Sequence, residues 1–174
     1  MKWFFAKYKF QFLILIIFIL CEVIVNPIGE FPLNDDWSYA KSVLILLKDG
    51  HLNIGNWCAM TLASHLLWGF LFIKCFGFSF TVLRLSTLVS SLIGLLTLNK
   101  LVSSISQNKI LGLIASLTLL FNPIYFNLSN TFMTDVNFNT LLILAAYFSY
   151  LFFEERKPIY FFLFFLYYLN IYKL

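Results

Sequence analysis

Charge is what this sequence has least of. Only 11 % of its 174 residues are Asp, Glu, Lys or Arg, against 61 % hydrophobic, and the mean hydropathy is +0.87. A soluble domain carries about a quarter charged residues, so that class is excluded. Cysteine is sparse as well. Cys21, Cys58 and Cys75 are odd in number and follow neither a C-x-x-C nor a zinc-ribbon spacing, so neither a disulfide framework nor a metal site can be read from them, and they are most simply apolar filler. A cleavage signal is missing too. Lys2, Lys7 and Lys9 before an apolar run imitate a secretory leader, but no small-residue cleavage site follows, and the bulky Leu20 before Cys21 does not suit lipoprotein processing. The segment is expected to stay as a first transmembrane helix.

What the chain does have is apolar length. Its 22 Phe carry most of an aromatic share of 20 %, which suits lipid-facing helix surface with Trp and Tyr at the interfaces and does not indicate nucleic-acid binding. The formal charge of +4 is read as an excess of Lys and Arg in cytoplasmic loops, which sets orientation rather than ligand. The fold class expected is an all-α integral membrane protein, a multi-pass helical bundle in the cell membrane with a cytoplasmic N-terminus and the lipid bilayer as its first partner.

About 20 apolar residues span the ~30 Å hydrocarbon core. On that ruler crossings are expected at 9–28, 80–102, 110–127, 136–153 and 158–174, with an outer loop at 29–79. Pro27 and Gly29 stop the first. Within the loop, Asn34 or Asp35 can cap a helix whose Trp37, Ala40, Val43, Leu44 and Leu47 recur at helical spacing, and Gly50 ends it. Such an amphipathic helix suits the membrane surface. The apolar stretch 61–77 is short and holds His65 and Lys74. If it crossed, Lys100, Lys109, Arg156 and Lys157 would all fall outside, against the positive-inside bias. It is therefore read as interfacial or re-entrant, which puts Asp35, Asp36 and Asp135 on one outer face. The run from Pro158 starts a further crossing and stops at Leu174, so the chain is expected to be truncated, lacking the remaining helices of a closed bundle.

The pair Asp35-Asp36 directly follows the first crossing, and ionisable groups beside hydrocarbon usually mark function. A carboxylate there suits a general base; equally, acids in a first helical turn complement the helix dipole. Asp135, in Thr131-Phe132-Met133-Thr134-Asp135-Val136, invites the same two readings, with Thr134 or Asp135 as a cap the stronger one. Arg84 can hold a phosphate in bidentate fashion, pair with a carboxylate, or simply snorkel to the interface. His51 and His65 have no partner at ligand spacing. Asn127-Leu128-Ser129 is a glycosylation sequon with a high false-positive rate.

The order of Asn34-Asp35-Asp36-Trp37-Ser38-Tyr39-Ala40, Leu67-Trp68-Gly69, the stretch 76–87 (Phe-Gly-Phe-Ser-Phe-Thr-Val-Leu-Arg-Leu-Ser-Thr), Asn122-Pro123 and Phe132-Met133-Thr134-Asp135-Val136 resembles the N-terminal part of GT-C superfamily glycosyltransferases. The resemblance is to the group of protein O-mannosyltransferases and lipid A aminoarabinose transferases. It implies transfer of a sugar from a polyprenyl-phosphate donor to an extracytoplasmic acceptor, with inversion at the anomeric carbon. It further implies Asp35 as the catalytic base, Asp36 as its neighbour, Asp135 as the second outer-loop acid, and leaves a divalent metal open. Some relatives carry an acidic metal-binding residue in the first outer loop; here that region, 60–64, reads Met-Thr-Leu-Ala-Ser and has no acid. Family members are commonly several times longer. A C-terminal companion chain, a non-catalytic fragment, one half of a split enzyme and a small transporter are the competing expectations, the last without the matched pair of interrupted helices a transporter would show.

Overall fold

The computed structural model of the chain describes residues 2–54, 58 and 63–172. Among them every regular element is a helix. Helix α1, Lys2–Val25, follows an apolar run free of Gly and Pro and bends once, at Tyr8. Helix α4, Phe80–Ser106, and α7, Thr134–Glu155, are the other two helices long and apolar enough to cross a bilayer. Both overrun the expected crossings at their ends, because Ser79 caps the start of α4 by accepting the Val82 N–H, and Gln107 and Arg156 end the two helices in left-handed backbone.

The single crossing expected at 110–127 is instead a broken pair. Helix α5, Lys109–Leu120, and α6, Pro123–Ser129, meet at an angle of 69°. The residues at the break explain it. Pro123 has no N–H to continue α5, and Asn122, held extended before the proline, turns its Oδ1 on the N–H groups of Ile124 and Tyr125 at 3.0 and 3.1 Å. Helix α8, Pro158–Tyr172, runs back along α7, with the rings of Phe148 and Tyr167 stacked at 5.5 Å.

Between α1 and α4 lie α2, Asp36–Asp49, and α3, Ala63–Phe76, each 14 residues and so about 21 Å long, short of a crossing. Gly29 and Thr81 bond each other twice, Gly29 N–H to Thr81 Oγ1 at 3.0 Å and Thr81 Oγ1–H to Gly29 O at 3.2 Å. The Glu30 carboxylate accepts from Ser79 Oγ and from the amides of Phe80 and Thr81. The chain thus leaves and re-enters the bundle at the same point. The face that α2 buries differs from the expected one. Ser38, Tyr39, Ala40, Ser42 and Val43 point inward while Trp37 and Leu47 stay exposed, because Ser42 Oγ satisfies itself on Ser38 O and Ser38 Oγ meets Cys58 Sγ. Gly50 does end α2, in left-handed backbone with its N–H on Leu46 O.

Two cores result. One joins Ile14 and Phe18 of α1 to Leu88 and Leu95 of α4, Leu120, Tyr125 and Val136. The other joins Tyr39, Ala40 and Val43 of α2 to Leu66 and Ile73 of α3, Leu83 of α4, and Phe132. The second core packs against the junctions where α1 ends and α4 and α7 begin, and it positions the acids.

Candidate active site

The loop after α1 is built on carbonyl groups gathered around one cation. Arg84, from the first turns of α4, is 1 % exposed and donates to Pro27 O at 3.2 Å, Gly29 O at 3.1 Å and Phe31 O, with its guanidinium 4.9 Å from the Phe31 ring centre. It does not snorkel. A planar fork with several fixed donors suits a loop that presents three carbonyls, which a lysine would bind less well.

That loop delivers the acidic pair to the start of α2. Asn34 takes a left-handed backbone, which Asn tolerates, and the chain closes on itself there: Asp36 N–H donates to Leu33 O at 3.3 Å, and Asp36 Oδ1 accepts the Leu33 N–H at 2.8 Å. Asp36 is fully buried, and its Oδ2 has no hydrogen-bond partner among the described residues. Burial raises its pKa above the ordinary carboxylate range, opposed by the Leu33 amide, the Arg84 charge and the amides of Phe132 and Trp37. Asp35 occupies the N-cap position of α2 but its side chain makes no capping bond, and it is exposed. Two neighbouring acids therefore stand in opposite environments.

Asp135 lies exposed in the first turn of α7, where its charge complements the helix dipole. The N-cap is Met133, without a side-chain bond, so neither Thr134 nor Asp135 is the cap. The link from Asp135 to the acidic pair runs through Phe132, whose ring is buried at 4.0 Å from His65 and whose backbone amide faces Asp36. All three acids share one end of the molecule, with Asp36 buried and the other two exposed. Among the described residues no three Asp, Glu, His or Cys side chains come together to hold a metal, and of the acid-free stretch 60–64 residues 60–62 lie outside the described residues.

Sequence reasoning passed over two groups here. His65 is fully buried, its ring edge-on to Tyr39, and its Nδ1 accepts from Asn137 Nδ2 at 2.8 Å, which puts the proton on Nε2. Burial pushes its pKa down to about 3, so it is neutral. It lines a cavity of about 300 Å³ between α3, α4 and α7 whose wall includes Ser64, Ser90, Asn137 and Thr140 in otherwise apolar surroundings. The signal available was Asn137 and Thr140, three residues apart and so on one face of an apolar helix. The second is Glu22, buried on α1 beside Asn130 and facing a groove of about 460 Å³ against α4. An acid within an apolar run was itself the signal.

The sequence profile of the family described as Dolichyl-phosphate-mannose-protein mannosyltransferase matches residues 61–169, from the start of α3 through most of α8. Arg84, His65 and Asp135 fall inside the match, and Asp35 and Asp36 precede it. No curated protein and no solved structure matches the chain. The match covers more than half of an all-helical chain with bilayer-length apolar helices, and this chain belongs to the dolichyl-phosphate-mannose protein mannosyltransferase family of GT-C glycosyltransferases.

Proposed function

We propose that this membrane glycosyltransferase family member moves a sugar from a polyprenyl-phosphate donor to an acceptor hydroxyl on the extracytoplasmic side, with Asp35 as general base. The Asp35 carboxylate takes the hydroxyl proton while the acceptor oxygen attacks the anomeric carbon. The bond from that carbon to the phosphate oxygen breaks, its electron pair leaves with the polyprenyl phosphate, and the anomeric centre inverts. The observation that carries this reading is the contrast within the acidic pair: Asp35 is exposed and uncommitted to capping, while its neighbour Asp36 is buried and tied to Leu33. A base has to be reachable, and an exposed carboxylate beside an anchored neighbour supports that reading.

In the same reading Asp36 and Arg84 are positioning residues for the 27–36 loop, since Arg84 is engaged by Pro27, Gly29 and Phe31. Asp135, in the first turn of α7, supports Asp35 in the same reading. The test is reconstitution of the chain, alone or joined to a C-terminal companion, in liposomes with labelled polyprenyl-phosphate sugars and a mixed lipid and peptide acceptor pool, the chain by itself being expected to show little transfer. Asp35→Asn keeps the shape and removes the proton acceptor, so transfer is expected to fall by ~10² or more with membrane insertion unchanged. Full activity in that variant would return Asp35 to a role at the helix start.

A further inference from the structure

The opposite end of the bundle carries a site that sugar transfer does not use. There α1 near its bend, the last turns of α4, the start of α5 and the middle of α7 line an open cavity of about 200 Å³ in which polar groups stand among the rings of Tyr8, Phe10 and Tyr147. Its wall includes Lys100 and Lys109, the hydroxyl-bearing Ser103 and Ser104, Gln11, and Asn99. A volume near 200 Å³ is several times the roughly 30 Å³ share of a water molecule, so the space is large enough for a phosphate-sized group. Asn99 is 1 % exposed and its Nδ2 has no hydrogen-bond partner among the described residues, although a buried donor normally finds one. Neither lysine has an ion-pair partner among the described residues; of the acids at this end, Glu155 is bound to Lys157 at 2.6 Å and Glu154 is exposed. Two cations, a buried amide donor and hydroxyls around one space are the chemistry of a phosphate site.

A second cavity adjoins it and is apolar. About 380 Å³ in size, it lies between α1 and α4 and is walled by Phe12, Leu15 and Leu96, and it shares Tyr8, Gln11 and Lys100 with the polar one. Depth agrees with this pairing. Helix α4 has 27 residues, about 40 Å against a hydrocarbon core of about 30 Å, so a crossing counted from Phe80 ends near Lys100, which puts the last turn and a half at headgroup level while Leu96 faces the acyl region. A free phosphate would use only the polar half of this pair.

We propose that the joined cavities bind an anionic phospholipid, its phosphate between Lys100 and Lys109 and one acyl chain along Phe12, Leu15 and Leu96. The site is independent of the acidic end and of the transferase reading. Basic pockets between membrane helices bind acidic headgroups with a gain from each lysine near the surface.

Native mass spectrometry of the full chain, exchanged in detergent against dioleoyl phosphatidylglycerol or dioleoyl phosphatidylcholine, tests it. The wild type is expected to retain the glycerol lipid selectively, and the double variant Lys100→Gln/Lys109→Gln to lose roughly 10- to 30-fold in that retention. Both lysines are exposed, so the fold should survive, and elution as a single species checks this. Arg156→Gln removes a charge from the same end outside the cavity and is expected to leave retention unchanged. Equal retention of the two lipids, an unaffected double variant, or an equal loss in Arg156→Gln would each overturn the proposal, the last by showing a diffuse surface potential. Displacement of the bound lipid by millimolar glycerol 3-phosphate would overturn it too, by making the site one for a free anion.

Discussion

Asp36 shows how one carboxyl can serve structure and impose a pH dependence at once. Burial raises its pKa in the folded protein, so the folded state keeps the proton to higher pH than the unfolded chain does. Within that window the unfolded state binds fewer protons, and stability therefore falls as pH rises from the ordinary carboxylate range through the raised value. Asp36→Asn retains an acceptor for the Leu33 N–H and has nothing to titrate. Its unfolding in detergent, followed by helix content from pH 4 to 8, is expected to lose that decline and to match or exceed the wild type at the upper end. A variant with an unchanged slope would assign the decline to other groups. Adjacent Asp35 has no such burial, and nothing in the letters Asp-Asp distinguishes the two. Which acid turns inward is decided by the left-handed turn at Asn34 and by the cation of Arg84 beneath the loop.

At the scale of elements, the break between α5 and α6 is the feature that a hydropathy ruler misses and local chemistry explains. An apolar run from 110 to 127 is continuous in composition, but Asn122-Pro123 both ends one helix, for want of a proline N–H, and starts the next as its cap and first residue. The bend shortens α5 to 12 residues and swings Tyr125 inward, where its hydroxyl donates to Ser91 O at 3.2 Å. Asn122→Ala removes both capping bonds and is expected to cost ~0.5–2 kcal/mol, read as a shift in the unfolding midpoint. Close approach elsewhere depends on missing side chains. A Cβ on Gly112 would stand 2.6 Å from Asn99 O, so α5 and α4 meet at this distance only with glycine there.

For the whole molecule, the consequence of the Gly29–Thr81 and Glu30–Ser79 bonds is a sidedness that can be tested. Lys9, Lys100, Lys109, Arg156 and Lys157 gather at one end, and Asp35, Asp36, Asp135 and the α2–α3 segment at the other, because α4 and α7 run the same way from the acidic end. On a background lacking Cys21, Cys58 and Cys75, a cysteine at Ser106 is expected to be labelled only from the cytoplasm and one at Asn53 only from outside. Labelling of both from one side would require α3 to cross.

The sequence by itself determined the class of this protein, the three helices long and apolar enough to cross a bilayer, and its family. All of these rest on local length, composition and charge, which act through the bilayer as solvent and need no knowledge of contacts. Helix packing decided the rest. Arg84 reads in the sequence as a phosphate ligand or a snorkelling side chain, and only its placement 53 to 57 residues from its partners turns it toward the loop carbonyls. His65 reads as isolated, and only the docking of α7 brings Asn137 to its ring, 72 residues away in the chain. A polar group must be satisfied wherever the fold buries it, and the partner that satisfies it is chosen by three-dimensional proximity, which spacing along the chain does not encode.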